Sequence, residues 1–123
     1  MNIEIIKEQV ERYKNKLQQM NGRSERSNQS DSILKVLVEN FKTEGPINII
    51  ETGASQDWND GMMGLMFAKI SQETGGKMWM VDIDETIIEK SKEIFGQQGI
   101  TCVEFIVQDS VEFLKSFNDK VDI

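Results

Sequence analysis

Acidic residues follow three apolar, β-branched segments of the sequence. Glu51 ends the segment 47–51, Asp82 and Asp84 end the segment 77–84, and Asp109 ends the segment 101–109. Carboxylates accept hydrogen bonds from hydroxyl and amino groups. If the three segments are neighbouring parallel strands, their ends meet at one edge of a sheet, which is where open α/β sheets bind ligands. The pattern therefore predicts a polar ligand site at this edge.

The second segment carries the clearest signal. Asp82 and Asp84 are two residues apart and therefore on the same side of an extended chain. One carboxylate at this position can accept hydrogen bonds from both hydroxyls of a ribose, and we assign this role to Asp82, with Ile83 lying against the face of an adenine. Asp84 is interpreted as the N-cap of a helix that begins at Glu85.

The third segment leaves two interpretations open. Asp109 could accept a hydrogen bond from an exocyclic amine of a base. It could equally cap the helix predicted over 110–117, since an acid directly before such a segment commonly binds its first free amide groups.

The loop after the first segment is long, polar and contains Trp58. Gly53 and Ser55 would let the backbone approach a ligand closely, although an ordinary surface turn is the alternative. The next glycine after Gly53 is Gly61, so the spacing of a dinucleotide-binding G-x-G-x-x-G turn is absent, as is the GK[ST] of a phosphate-binding P-loop. Asp57 or Asp60 of this loop could serve as a base toward an oxygen or nitrogen atom that accepts a transferred group.

Composition excludes several kinds of site. The chain of 123 residues has no histidine and a single cysteine, Cys102, which excludes disulfides, Cys/His zinc sites, Ser-His-Asp triads and Cys-His dyads. No metal site is predicted. The net charge of −7, from 14 Lys and Arg against 21 Asp and Glu, disfavours nucleic acid and suits a cationic small molecule. Neither a membrane span nor a secretory signal is recognisable, so we expect a cytoplasmic protein without a membrane partner.

Periodicity predicts the elements that position these acids. Four strand segments, at 47–51, 77–84, 101–109 and 120–123, alternate with helical segments at roughly 61–73, 85–96 and 110–117, with Gly75, Gly76 and Gly96 as stop signals. This alternation predicts an α/β fold with a Rossmann-like, doubly wound parallel sheet of about four strands.

The N-terminal part reads differently. Apolar residues at alternating spacings of three and four over 3–20 predict an amphipathic helix, which either packs on its own domain or binds a partner. Residues 21–31 read as a mobile linker, and Ser30, Asp31 or Ser32 as the N-cap of a second helix. We therefore divide the chain into an N-terminal helix and linker, 1–31, and a domain, 32–123.

Taken together, the motifs resemble those of class I S-adenosylmethionine-dependent methyltransferases, over about 33–123. The resemblance is to the branch of this family whose first loop reads E-T-G followed by W-N-D-G and whose second strand ends V-D-I-D. The resemblance implies S-adenosyl-L-methionine as cofactor, with its methionine end at Glu51, Gly53 and Ser55. It also implies Asp82 at the ribose and Ile83 at the adenine, with Asp109 and the adjacent Ser110 at the adenine amine.

The chain also departs from that family. Ser55 replaces the usual second glycine, and the sequence ends at 120–123, where the family continues toward its acceptor site. We therefore expect a truncated domain whose exposed edges favour a homodimer. The leading hypothesis is the cofactor-binding part of a methyltransferase for a small-molecule or glycan-like acceptor. The alternative is a non-catalytic module that associates through its N-terminal helix.

Overall fold

The computed structural model describes residues 2–18, 24–41, 44–54 and 63–123. Five helices and three strands lie in this part of the chain: α1 (Asn2–Gln18), α2 (Ser24–Asn40), β1 (Ile49–Thr52), α3 (Met63–Glu73), β2 (Met78–Asp82), α4 (Glu85–Gln97), β3 (Val103–Val107) and α5 (Ser110–Ser116). Strands and helices alternate from β1 onward, which confirms the predicted α/β class.

The three strands form one parallel sheet in the order β1-β2-β3. Ile49 pairs with Met78 at one end of β1, and Met78 pairs in turn with Val103. The strands therefore run in step, and their carboxyl ends lie at the same edge. Four of the five residues of β2 are buried, as expected for a central strand covered on both faces.

The last residues lie along the other edge of β1. The amide groups of Asp122 and Ile123 donate to Asn48 O at 2.8 and 3.2 Å, and Ile50 N donates to Ile123 O at 2.9 Å. These bonds alternate as in a parallel pair. The sequence predicts the start of a fourth strand at 120–123, and the structure has no regular strand there. Residues 122–123 nevertheless pair with β1, on the side of β1 opposite β2.

The two faces of the sheet have separate cores. Met78 and Met80 point toward the larger core, which α1 to α4 cover, whereas Trp79 and Val81 pack with Phe113 of α5 on the other face. The Trp79 ring also meets the ring of Phe117 edge to face, with centroids 4.8 Å apart. The alternation along β2 follows from the two-residue period of a strand.

The apolar stripe of α1 is part of the larger core. Ile6, Val10 and Tyr13 are at most 5% exposed, and α1 packs on both α2 and α3. Of the two interpretations of this helix, packing on its own domain accounts for these residues. The side chain of Leu17 and all of Met20 lie outside the described residues.

The predicted linker is wrong over residues 24–31. These residues belong to α2, so neither Ser30, Asp31 nor Ser32 is its N-cap. Packing explains the difference, because Ser30 is fully buried and Lys14 Nζ of α1 lies 3.1 Å from Asp31 Oδ1. α4 agrees with its predicted range and ends at Gln97, one residue beyond Gly96. The division of the chain into two domains stays a prediction.

Candidate functional site

The carboxyl ends of β1, β2 and β3 bring the predicted acids to one edge of the sheet. Thr52 pairs with Val81, and Asp82 pairs with Val107, so the residues that follow these strands are neighbours. Along the chain, β2 and β3 are added on one side of β1, whereas residues 122–123 pair with β1 on its other side. The order of the strands therefore reverses at β1. Such a switch point leaves a crevice beyond the strand ends in open α/β folds.

Asp82 holds two turns of this edge together. Its Oδ2 accepts a hydrogen bond from Ala54 N at 3.0 Å, and its Oδ1 accepts one from Asp84 N at 2.8 Å. Its backbone carbonyl accepts from Gln108 N of the third turn at 3.0 Å. Each carboxylate oxygen has a second lone pair, so both can also accept a ligand hydroxyl.

Gly53 makes the turn after β1. Its φ of 87° lies in the left-handed region that favours glycine, and its amide donates to Val81 O at 2.8 Å. Apart from its two chain neighbours, no described residue has an atom within 4 Å of the position that a Cβ would take. Ser55, Asp57 and Asp60 lie outside the described residues.

The Glu51 carboxylate lies against the first turn of α3. An ideal Cβ on Gly64 would be 2.6 Å from Glu51 Oε1 and 2.7 Å from Oε2, so this contact exists only because residue 64 has no side chain. A carboxylate at a helix N-terminus also complements the positive end of the helix dipole. Sequence reasoning did not single out Gly64, although a glycine at the start of a predicted helix is an available signal.

The acids after β2 and β3 cap helices. Asp84 Oδ1 accepts from Thr86 N at 2.8 Å and from Ile87 N at 3.3 Å, which confirms the predicted N-cap of α4. Asp109 caps α5 in the same way through Oδ1, from Val111 N at 3.0 Å and Glu112 N at 3.1 Å.

Capping and ligand binding are compatible at Asp109, since both capping bonds use Oδ1 and leave Oδ2 available to a ligand. The adjacent Ser110 begins α5 and is half-buried.

Two apolar side chains lie exposed beside these acids. Ile83 is 72% exposed, and Val107, which pairs with Asp82, is 49% exposed. Large apolar side chains at a polar strand edge provide a surface on which a flat aromatic base can pack. Sequence reasoning identified Ile83 but not Val107, because only the pairing of β2 with β3 places Val107 there.

The edge is acidic. Within 51–54, 82–86 and 107–112, the described residues include six acids and neither Lys nor Arg. Such an edge favours a positively charged ligand. No group of three potential metal ligands was found in the described part of the chain.

No helix in the described ranges is long and apolar enough to cross a membrane.

Comparison with known proteins gives one match. Residues 60–123 match the family described as the spermine/spermidine synthase domain. This is just over half of the chain, and it contains α3, β2, α4, β3 and α5 with Asp82 and Asp109. Neither the curated proteins nor the solved structures contain a match. By its sequence from α3 onward, the chain belongs to the spermine/spermidine synthase domain family.

Proposed function

We propose that this chain binds S-adenosyl-L-methionine at the carboxyl edge of its sheet and forms the cofactor-binding part of a methyltransferase. The observation that carries the proposal is the position of Asp82, whose carboxylate lies between the turns after β1 and β2 and keeps lone pairs for a ligand. The family match supports a transferase with a Rossmann-like fold.

The residues of the edge suit the parts of this cofactor. Asp82 would accept hydrogen bonds from the ribose hydroxyls, and the adenine would pack on Ile83. Asp109 would accept from the adenine amine through Oδ2, beside Ser110, because Oδ1 is used in capping. The acids that would make these contacts lie at adjoining strand ends.

The methionine end of the cofactor would lie over the turn at Gly53. No described residue beyond the chain neighbours of Gly53 fills its Cβ position, which would allow close approach, and the nearby Glu51 carboxylate would complement a positively charged sulfonium. Ser55 would bind the same end of the cofactor.

The bound cofactor supplies an activated methyl group, which leaves in an in-line displacement. Such a reaction depends mainly on holding donor and acceptor in line, so it needs no histidine. The protein's part is to orient the nucleoside through Asp82 and Ile83. Asp57 or Asp60 of the following loop would take the proton from a small-molecule or glycan-like acceptor.

A second candidate function follows from the family match. The family is named for spermine and spermidine synthases, which use decarboxylated S-adenosylmethionine. This donor lacks a carboxylate and therefore carries one more net positive charge than S-adenosyl-L-methionine. The acidic edge, with no Lys or Arg in the described parts of 51–54, 82–86 and 107–112, favours such a donor and hence aminopropyl transfer.

Calorimetric titration tests both candidates. The chain would be titrated with S-adenosyl-L-methionine, S-adenosylhomocysteine, decarboxylated S-adenosylmethionine and NAD. Micromolar binding of the first two supports methyl transfer, whereas preference for the decarboxylated donor supports aminopropyl transfer. Asp82→Ala should abolish either, and Lys115→Gln, on the exposed face of α5, is the matched control. If the folded chain binds none of the adenosyl compounds, the proposal is wrong and a non-catalytic module is favoured.

A further inference from the structure

A cleft with positively charged walls lies where α1 packs on α3. Its volume is about 70 Å³, and none of the acidic strand-end residues lines it. Arg12 and Lys16 of α1 and Lys69 of α3 line the cleft, with the amide side chains of Gln9 and Gln98. The cleft is therefore distinct from the adenosyl site proposed above.

Helix geometry explains why the cations converge. Arg12 and Lys16 are four residues apart, so they lie one above the other on a single face of α1. Both side chains line the cleft between α1 and α3, and Tyr13, which follows Arg12, is buried beside it. Lys69 projects from α3 into the same cleft. Among the described residues, three cations and no acid line this space, in a chain of net charge −7.

The charges in the cleft act on each other. The pKa of Lys16 is lowered, first by burial and second by the nearby Lys69 ammonium group. Two ammonium groups held near each other raise the free energy of the protein, and an anion placed between them would lower it. Glu8, whose Oε1 lies 2.6 Å from Arg12 Nη2, pairs with Arg12 from outside the lining.

We propose that this cleft binds a small tetrahedral oxyanion, inorganic phosphate or the phosphoryl group of a phosphomonoester. A cleft of about 70 Å³ has room for one such group, since a single water takes up about 30 Å³ of liquid volume. Ammonium and guanidinium groups bind phosphate oxygens through charge-assisted hydrogen bonds. The amides of Gln9 and Gln98 provide further donors at the wall.

Titration calorimetry with inorganic phosphate at constant ionic strength tests the proposal. We expect saturable binding by the wild-type chain and a loss of about tenfold in affinity for Lys69→Gln, equivalent to one lost charge contact. Glu8→Gln should bind phosphate more tightly, because it frees the Arg12 guanidinium. Lys115→Gln, on α5, should bind like the wild type. The opposite signs of the Lys69 and Glu8 variants exclude a general loss of folding as the cause.

Further titrations show whether the bound phosphoryl group is the free ion or part of a phosphomonoester. They also separate this proposal from the proposed function. Methyl phosphate binding at least as tightly as inorganic phosphate identifies a phosphomonoester, whereas binding of inorganic phosphate alone identifies the free ion. Asp82→Ala should keep its phosphate affinity even where it has lost the nucleoside. The proposal is overturned if phosphate binds no better than chloride, or if Lys69→Gln and Glu8→Gln both bind like the wild type.

Discussion

The carboxylate of Asp82 accepts a hydrogen bond from the backbone amide of Ala54, 28 residues earlier in the chain, at 3.0 Å. This bond joins the turn after β1 to the end of β2. A ligand that binds across these two turns would therefore contact a surface that the Asp82 side chain holds in place. We expect Asp82 to combine a structural role with a ligand-binding one.

Substitution of Asp82 should affect cofactor affinity more than it affects folding. Asp82→Ala removes the acceptor for Ala54 N and the proposed acceptor for the ribose, and hydrogen bonds to charged groups contribute about 1.5–3 kcal/mol. We expect at least a tenfold loss in affinity for S-adenosyl-L-methionine, measured by titration calorimetry. Thermal unfolding without ligand serves as the control, and unchanged affinity in a folded variant would contradict the assigned role.

Asp84 and Asp109 offer a matched pair of helix caps. Each accepts two amide bonds through Oδ1, so Asp84→Ala and Asp109→Ala should each lower the free energy of unfolding by about 1 kcal/mol in urea titrations. Only Asp109→Ala should also weaken binding of the adenine nucleoside. Equal affinities in the two variants would limit Asp109 to capping.

Gly64 should be required for the position of Glu51. A Cβ in Gly64→Ala would approach both carboxylate oxygens to 2.6–2.7 Å, so Glu51 must move. Overpacking of this kind costs about 1–3 kcal/mol. We expect lower stability and weaker binding of the sulfonium cofactor.

Gly96→Ala is the control for this substitution. Gly96 is in α4, and its Cβ would meet no atom of another described element within 4 Å, so the added methyl group should stabilise the chain by about 0.4–1 kcal/mol. If Gly64→Ala were equally stabilising and bound the cofactor normally, the prediction that the Glu51–Gly64 contact supports stability and cofactor binding would be wrong.

The thiol of Cys102 should react slowly in the folded chain. Burial raises its pKa, which the hydrogen bond with Ser71 offsets only in part, and Sγ donates to Ala68 O at 3.4 Å. Because the thiolate is the reactive form, a thiol reagent at mildly alkaline pH should label unfolded chains much faster. Thr101→Cys in a Cys102→Ser background provides an exposed comparison at the neighbouring position, and similar labelling rates for the two thiols would contradict the prediction.

Lys16 should make stability depend on alkaline pH. Burial and the Lys69 ammonium lower its pKa below the ordinary 10.5, so between the folded value and 10.5 the unfolded chain binds more protons. The free energy of unfolding of the chain therefore rises with pH through this window, and Lys16 is the cause of that rise. Lys16→Gln should remove that rise in urea titrations, whereas Lys115→Gln should retain it. Identical pH profiles for wild type and Lys16→Gln would contradict the lowered pKa.

Features confined to short stretches of sequence could be predicted. The alternation of strands and helices from β1 onward and the cap at Asp84 depend on periodicity or on hydrogen bonds that span two or three residues. Asp109 was correctly identified as a candidate cap for the same reason. The acids at the strand ends could also be named, because each lies in or just beyond the last residues of its own strand.

Packing between distant segments decided the rest. The polar stretch 24–31 is helical in α2, which packs on α1 and buries Ser30, while its composition alone predicted a linker. The approach of Glu51 to Gly64 and the bond from Ala54 to Asp82 join different elements. Local patterns indicate most of the elements, because the apolar period of a helix or strand and the hydrogen bonds of a helix cap lie within a few residues. Which side chains meet depends on strand order and helix packing, and these are set only when the whole core is buried.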